Sequence, residues 1–101
     1  TNQTVNAAME AWQNGDSKTF LSYFIANPSM TDDGNPRNFQ SFVKDACGKE
    51  KYLTIDKVED GGKNVFGNSK AGDGGTSKVF FKFHQNSEGK FDKLDIGQAN
   101  Y

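Results

Sequence analysis

AWQNGDSKTFLSYFIANPSMTDDG, residues 11–34, holds the end of one helix, a break, a second helix and a strand, and its reading decides the fold. Gly15 suits the left-handed position just past a helix. Asp16 or Ser17 then caps the next helix by accepting its free N–H groups. Phe20, Leu21, Phe24 and Ile25 give that second helix a buried side, with Tyr23 nearby. Pro28 ends it, because the residue before a proline is pushed out of the helical region. Residues 29–33 form a short extended piece that carries two adjacent carboxylates, Asp32 and Asp33.

Upstream, Val5, Ala8, Met9 and Trp12 fall at i, i+3, i+4 and i+7, one apolar stripe on a first helix. Downstream, Asn35 and Pro36 suit the cap and first position of a third helix. Its stripe is Phe39, Phe42, Val43 and Ala46, and Gly48 closes it. The period then changes to two. Residues 52–59, 63–71, 76–86 and 90–99 read as four strands separated by Asp60-Gly61-Gly62, by Gly72-Asp73-Gly74-Gly75 and by Asn86-Ser87-Glu88-Gly89. Short Gly-rich turns make antiparallel neighbours, hence a four-stranded meander. Val79, Phe81 and Phe83 share one face, with Leu94, Ile96 and Gln98 in phase on the next strand. Phe80 and His84 share the other face. One greasy face and one mixed face describe a sheet covered by helices on one side. The order helix, helix, short strand, helix, four strands gives an α+β domain over residues 1–101.

Leu, Ile, Val and Phe make up 20 of 101 residues, and nine of these are Phe, so the core is aromatic. The net charge of −1 is far from the high charge of a disordered chain. It also lacks the basic footprint of a nucleic-acid binder, and Arg37 is the only arginine available for phosphate forks. No apolar run reaches the length of a membrane span. The chain starts at Thr1, so an upstream segment is an open matter, and the cytoplasm is the expected compartment. The single cysteine, Cys47, forms no internal disulfide. One His and one Cys make no metal site between them, and no cofactor is expected.

Glu10-Ala11-Trp12-Gln13-Asn14-Gly15-Asp16 followed by Phe20 to Phe24 resembles the opening of the nuclear transport factor 2-like superfamily. So does the closing pair of strands, Val79-Phe80-Phe81-Lys82-Phe83 and Gly89-Lys90-Phe91-Asp92-Lys93-Leu94-Asp95-Ile96-Gly97-Gln98. That superfamily includes the ketosteroid isomerases and the SnoaL-like polyketide cyclases. The resemblance covers roughly residues 5 to 100. It implies a cone-shaped, cystatin-like roll: three helices packed in the concave face of a curved antiparallel sheet, around an apolar pocket. It also implies frequent homodimers, here through an outer sheet face bearing Phe80, His84 and Phe91. It does not imply one activity.

Carried onto this sequence, the isomerase pattern puts its general base at Asp32. Its oxyanion tyrosine falls at Ala8 and its protonated aspartate at Val79. Abstraction of a proton beside a carbonyl needs both a base and donors for the enolate oxygen. Both familiar donors are missing, so steroid isomerisation is not expected. Beside Phe39, Phe42 and Phe83, a buried Asp32 carboxylate would be costly in its charged form. Thr-Asp-Asp-Gly-Asn-Pro is equally good loop chemistry, which leaves Asp32 as pocket base or turn carboxylate and Asp33 as solvated. The expected pocket is bounded by Trp12, Tyr23, Phe39, Phe42, Phe81, Phe83 and Ile96, with Asp32 and Gln98 as polar contacts. Three functions fit it: a binder of a small apolar molecule, an isomerase, dehydratase or cyclase using Asp32, or an interaction module whose cone is filled by its own side chains.

Overall fold

The structure, a computed structural model, describes residues 2–71 and 75–101. Residues 72–74 of the second expected turn lie outside the described residues, as does Thr1. Helix α1 spans Gln3–Gln13 and buries Val5, Ala8, Met9, Ala11 and Trp12, the expected stripe with Ala11 added. Helix α2 spans Ser17–Ser22 and is capped by Asp16, whose carboxylate accepts from the Thr19 N–H at 3.2 Å. Helix α3 spans Phe39–Ala46 and buries Phe39, Phe42, Val43 and Ala46. Strands β1 (Phe24–Asp32), β2 (Asn35–Pro36), β3 (Glu50–Glu59), β4 (Asn64–Ala71), β5 (Thr76–Gln85) and β6 (Phe91–Gln98) form one open sheet in the order β2-β1-β6-β5-β4-β3. The three helices cover its inner face, and the shared core runs from Val5 to Ile96.

Four expectations are corrected. The second helix stops at Ser22, and Phe24 and Ile25 begin a strand instead. The cause is tertiary: β1 docks parallel on β6, pairing Phe24 with Phe91 and Met30 with Leu94. Pro28 is tolerated inside β1 because β2 pairs only with Thr31 and Asp32, which leaves the proline on a free edge. The sheet is therefore mixed, an antiparallel meander extended by one parallel strand.

Asn35 and Pro36 do not open a helix. Asp33 and Gly34 take φ of 51° and 84°, so they form a two-residue hairpin turn joining β1 to β2. Asn38 caps α3 in their place, its side chain accepting from the Ser41 N–H at 2.8 Å. The last correction is Phe91, placed on the outer face by strict alternation. Its side chain is fully buried, 5.2 Å from Phe24 and 4.9 Å from Phe83 between ring centroids. The register slips between His84 and Gln85, so Lys93 and Phe91 oppose consecutive residues of β5 and Asp92 is the extra residue. One added residue turns the next side chain to the opposite face.

Two glycine turns hold the helices together. Gly15 ends α1 and Gly48 follows α3, both at positive φ. A Cβ on Gly48 would stand 2.7 Å from the Gly15 Cα, so the two turns touch back to back.

Candidate functional site

Most of the cone is solid. Phe20, Phe24, Phe39, Phe83 and Phe91 pack ring on ring at its closed end, with Phe24–Phe39 centroids 4.6 Å apart. The open end keeps a cavity of about 120 Å³. Its walls come from α1 (Trp12), α3 (Phe42), β5 (Val79, Phe81) and β6 (Ile96), and its rim is polar.

Trp12 is set by its own bond to β3 and by those of Gln13 beside it. Its indole N–H donates to the Glu50 carbonyl at 2.7 Å. Next to it, the Gln13 amide donates to the Tyr52 carbonyl at 2.7 Å and accepts from the Tyr52 N–H at 2.8 Å. These bonds pin the end of α1 to the start of β3. The ring then stacks on Phe42 at 5.2 Å and 19°, and meets Phe81 edge-on at 5.2 Å and 76°. Trp12 is a wall whose N–H is already taken, so it offers a ligand no donor.

The rim is built by the hairpin. Arg37, just beyond β2, donates from Nη1 to Asp32 Oδ2 at 2.7 Å, and its guanidinium lies 4.9 Å from the centre of the Phe42 ring. Asp32 thus enters the site as half of an ion pair, with one carboxylate oxygen occupied. Asp33 is exposed, as expected, and its Oδ1 accepts from the Gln98 N–H of β6 at 2.8 Å. Gly97 makes that possible, because a Cβ there would run into the Asp33 carboxylate and the Phe80 ring.

The cavity brings together Trp12, Asp32, Phe42, Phe81, Ile96 and Gln98. It does not include Tyr23, Phe39 or Phe83. Phe39 and Phe83 are used up in the closed end, and Tyr23 is half-buried at the core margin, its carbonyl accepting from the Phe91 N–H at 2.9 Å. Arg37, Glu50 and Ser69 also line the cavity and were not singled out in the sequence. For Arg37 a signal existed: Asp33-Gly34 between extended residues marks a hairpin, which sends Arg37 back alongside Asp32. No sequence signal identifies Glu50 or Ser69, since each depends on strand register.

Behind the sheet the chemistry differs. His84 Nε2 and Asp95 Oδ2 are 2.7 Å apart, and the Thr31 hydroxyl donates to the other Asp95 oxygen. Burial pushes the Asp95 carboxyl up, but the bonds from Thr31 and His84 outweigh it and hold it below the usual range. Phe80, Phe66 and Tyr101 form an aromatic strip on this face, and Lys82, Lys57 and Lys78 each rest an ammonium over one ring.

No family model matches the sequence, and no curated protein matches it. Solved structures do. A nuclear transport factor 2-like protein of unknown function from Cytophaga hutchinsonii aligns with a TM-score of 0.74 at 15% identity, covering 95% of this chain and 87% of that one. A SnoaL-like protein of unknown function from Burkholderia thailandensis gives 0.71 at 13% identity, covering 97% and 92%. The Anabaena orange carotenoid protein binding canthaxanthin gives 0.72 at 18% identity, covering 95% of this chain but 35% of its own. The described residues contain no helix long and apolar enough to cross a membrane. At these identities the likeness establishes architecture, and the architecture is that of the nuclear transport factor 2-like fold.

Proposed function

We propose that this domain binds a small, largely apolar molecule at the open end of its cone. The observation that carries the reading is the cavity of about 120 Å³ beside Trp12, Phe42, Phe81 and Ile96, at the end of the cone where the aromatic packing stops. That volume approaches the roughly 150 Å³ of an engineered apolar cavity that takes benzene. It is well below the roughly 300 Å³ at which drug-sized sites begin. The ligand is therefore about one ring in size, far smaller than the canthaxanthin bound by the orange carotenoid protein.

Trp12 is the only tryptophan, so its fluorescence reports on this cavity alone. Titration with benzyl alcohol is expected to give a saturable change, lost in Val79→Phe, which fills the space. A flat titration, with no small molecule retained in native mass spectrometry, overturns the reading in favour of an interaction module with a self-filled cone; the packing of Phe39 and Phe83 into the closed end is what supports that rival. Asp32 as a general base is the lesser reading. A base must face the proton it takes, and Arg37 covers one of its two oxygens. A homodimer through the outer face, with Phe80 and His84 joined by Phe66 and Tyr101, completes the proposal, and the same mass spectrum reports it.

A further inference from the structure

We infer that the ligand of this cavity is a cation, a single-ring organic amine whose ammonium group sits at the rim. The inference rests on the cavity being a ligand site and deepens that reading. Three carboxylates, Asp32, Asp33 and Glu50, line the cavity against one guanidinium, Arg37. Arg37 is already bound to Asp32, so two negative charges face the space without a cation of their own among the ion pairs of the described residues.

A second, independent feature points the same way. Ser69 is 8% exposed, the sole buried polar residue among those described, and lines the cavity. Register puts it on the inner face with Val65 and Gly67, opposite Tyr52. Its hydroxyl makes no hydrogen bond among the described residues and stays open to the cavity. A hydroxyl that opens onto a cavity can accept from a donor bound there. An ammonium carries three donors and no acceptor, and Ser69, the Glu50 carboxylate and the second carboxylate oxygen of Asp33 can accept from it.

The walls agree with the rim. Aromatic faces attract cations, and Phe42 already holds the guanidinium of Arg37 at 4.9 Å from its centre. A carboxylate ligand would gain only Arg37, at the expense of Asp32, and would meet the two remaining negative charges.

The experiment is a set of Trp12 fluorescence and calorimetric titrations with benzylamine, benzyl alcohol and benzoate at low salt. Benzylamine is expected to bind at least about tenfold tighter than benzyl alcohol, as a charge-assisted hydrogen bond implies, and benzoate weakest. Glu50→Gln is expected to bring the ratio of benzylamine to benzyl alcohol affinity close to one. Asp33→Asn, which keeps the oxygen that accepts from Gln98, serves as the second variant should Glu50→Gln fold poorly. Equal binding of benzylamine and benzyl alcohol overturns the cation inference and keeps the cavity reading. Tightest binding by benzoate overturns it in favour of Arg37 as an anion receptor. A preference for benzylamine that survives both variants also overturns it. Silence from all three ligands overturns the cavity reading itself.

Discussion

The two ends of the cone are built from the same residue type and come out differently. At the closed end Phe20, Phe24, Phe39, Phe83 and Phe91 pack on one another, and Phe20 and Phe83 reach Trp12 and Phe81 behind them. At the open end Trp12, Phe42 and Phe81 are just as well buried, yet Arg37, Asp32, Ser69 and Glu50 stand around them. Rings packed on rings leave no room at native density. Rings that face charged and hydroxyl groups leave a gap, because those groups must reach water or one another. The contrast implies a division of labour, in which the closed end holds the fold and the open end is free to recognise something.

The closed end gives the largest predicted effect. Phe91→Ala removes a fully buried ring held between Phe24 and Phe83, and its cost in denaturant unfolding is expected to be about 3–5 kcal/mol. Benzyl alcohol binding by the surviving folded fraction should be unchanged. A cost below about 1 kcal/mol would mean that the bulge at Asp92 relaxes and the ring was never a support.

Gly97→Ala is the corresponding test at the open end. The new Cβ strikes the Asp33 carboxylate and the Phe80 ring, and crowding of this kind costs about 1–3 kcal/mol. Here stability and binding should fall together, because Asp33 moves with its hydrogen bond to Gln98. Loss of stability with binding intact would separate Asp33 from the site.

How far the sequence discloses this depends on which end is asked about. The closed end is legible because helix stripes such as Phe39, Phe42, Val43 and Ala46 are read from spacing, and spacing decides burial. Phe91 escaped because a bulge has no clear signature in Lys90-Phe91-Asp92-Lys93, and one extra residue reverses every inference from alternation. Phe24 and Ile25 escaped because their helical spacing lost to parallel pairing with a strand over sixty residues away, a contact no local window contains. The open end was half legible. Trp12, Phe42 and Phe81 follow from their stripes, whereas Glu50 and Ser69 are placed by the β3–β4 register, which the bulges near Tyr52 and Ile55 shift. Arg37 lay within reach of a stricter reading of Asp33-Gly34.

Tyr52 sharpens the contrast with an effect of the opposite sign. It lies at the open end, its ring edge-on to Phe81 at 5.3 Å, with a buried hydroxyl that has no partner among the described residues. Tyr52→Phe is expected to stabilise the domain by about 1 kcal/mol, because an unsatisfied buried group is removed and the ring kept. Burial, aided by the nearby Tyr101, also pushes the Tyr52 phenol up. The unfolded phenol loses its proton near pH 10 while the folded one keeps it. The unfolded state then binds fewer protons, so stability present below about pH 10 is lost as the pH rises above it. In Tyr52→Phe most of that alkaline slope should vanish. A remainder is expected from Tyr101, whose hydrogen bond to Asp56 pushes it up to about 12. An unchanged slope would show that the hydroxyl finds a partner in solution.

The smallest effect on stability is expected where the site is most highly charged. Asp32 and Arg37 keep side-chain exposures of 35% and 40%, and an ion pair this open to water contributes at most about 1 kcal/mol. Asp32→Asn retains an acceptor for Arg37 and should leave the unfolding midpoint almost unmoved. Its effect belongs in recognition: with one carboxylate fewer at the rim, the affinity for benzylamine should fall while that for benzyl alcohol stays level. A loss of several kcal/mol instead would make the pair a support of the hairpin, and the division between a holding end and a recognising end would fail at its clearest point. Near silence in stability, together with a shift in ligand preference, is the pattern that only a binding rim produces.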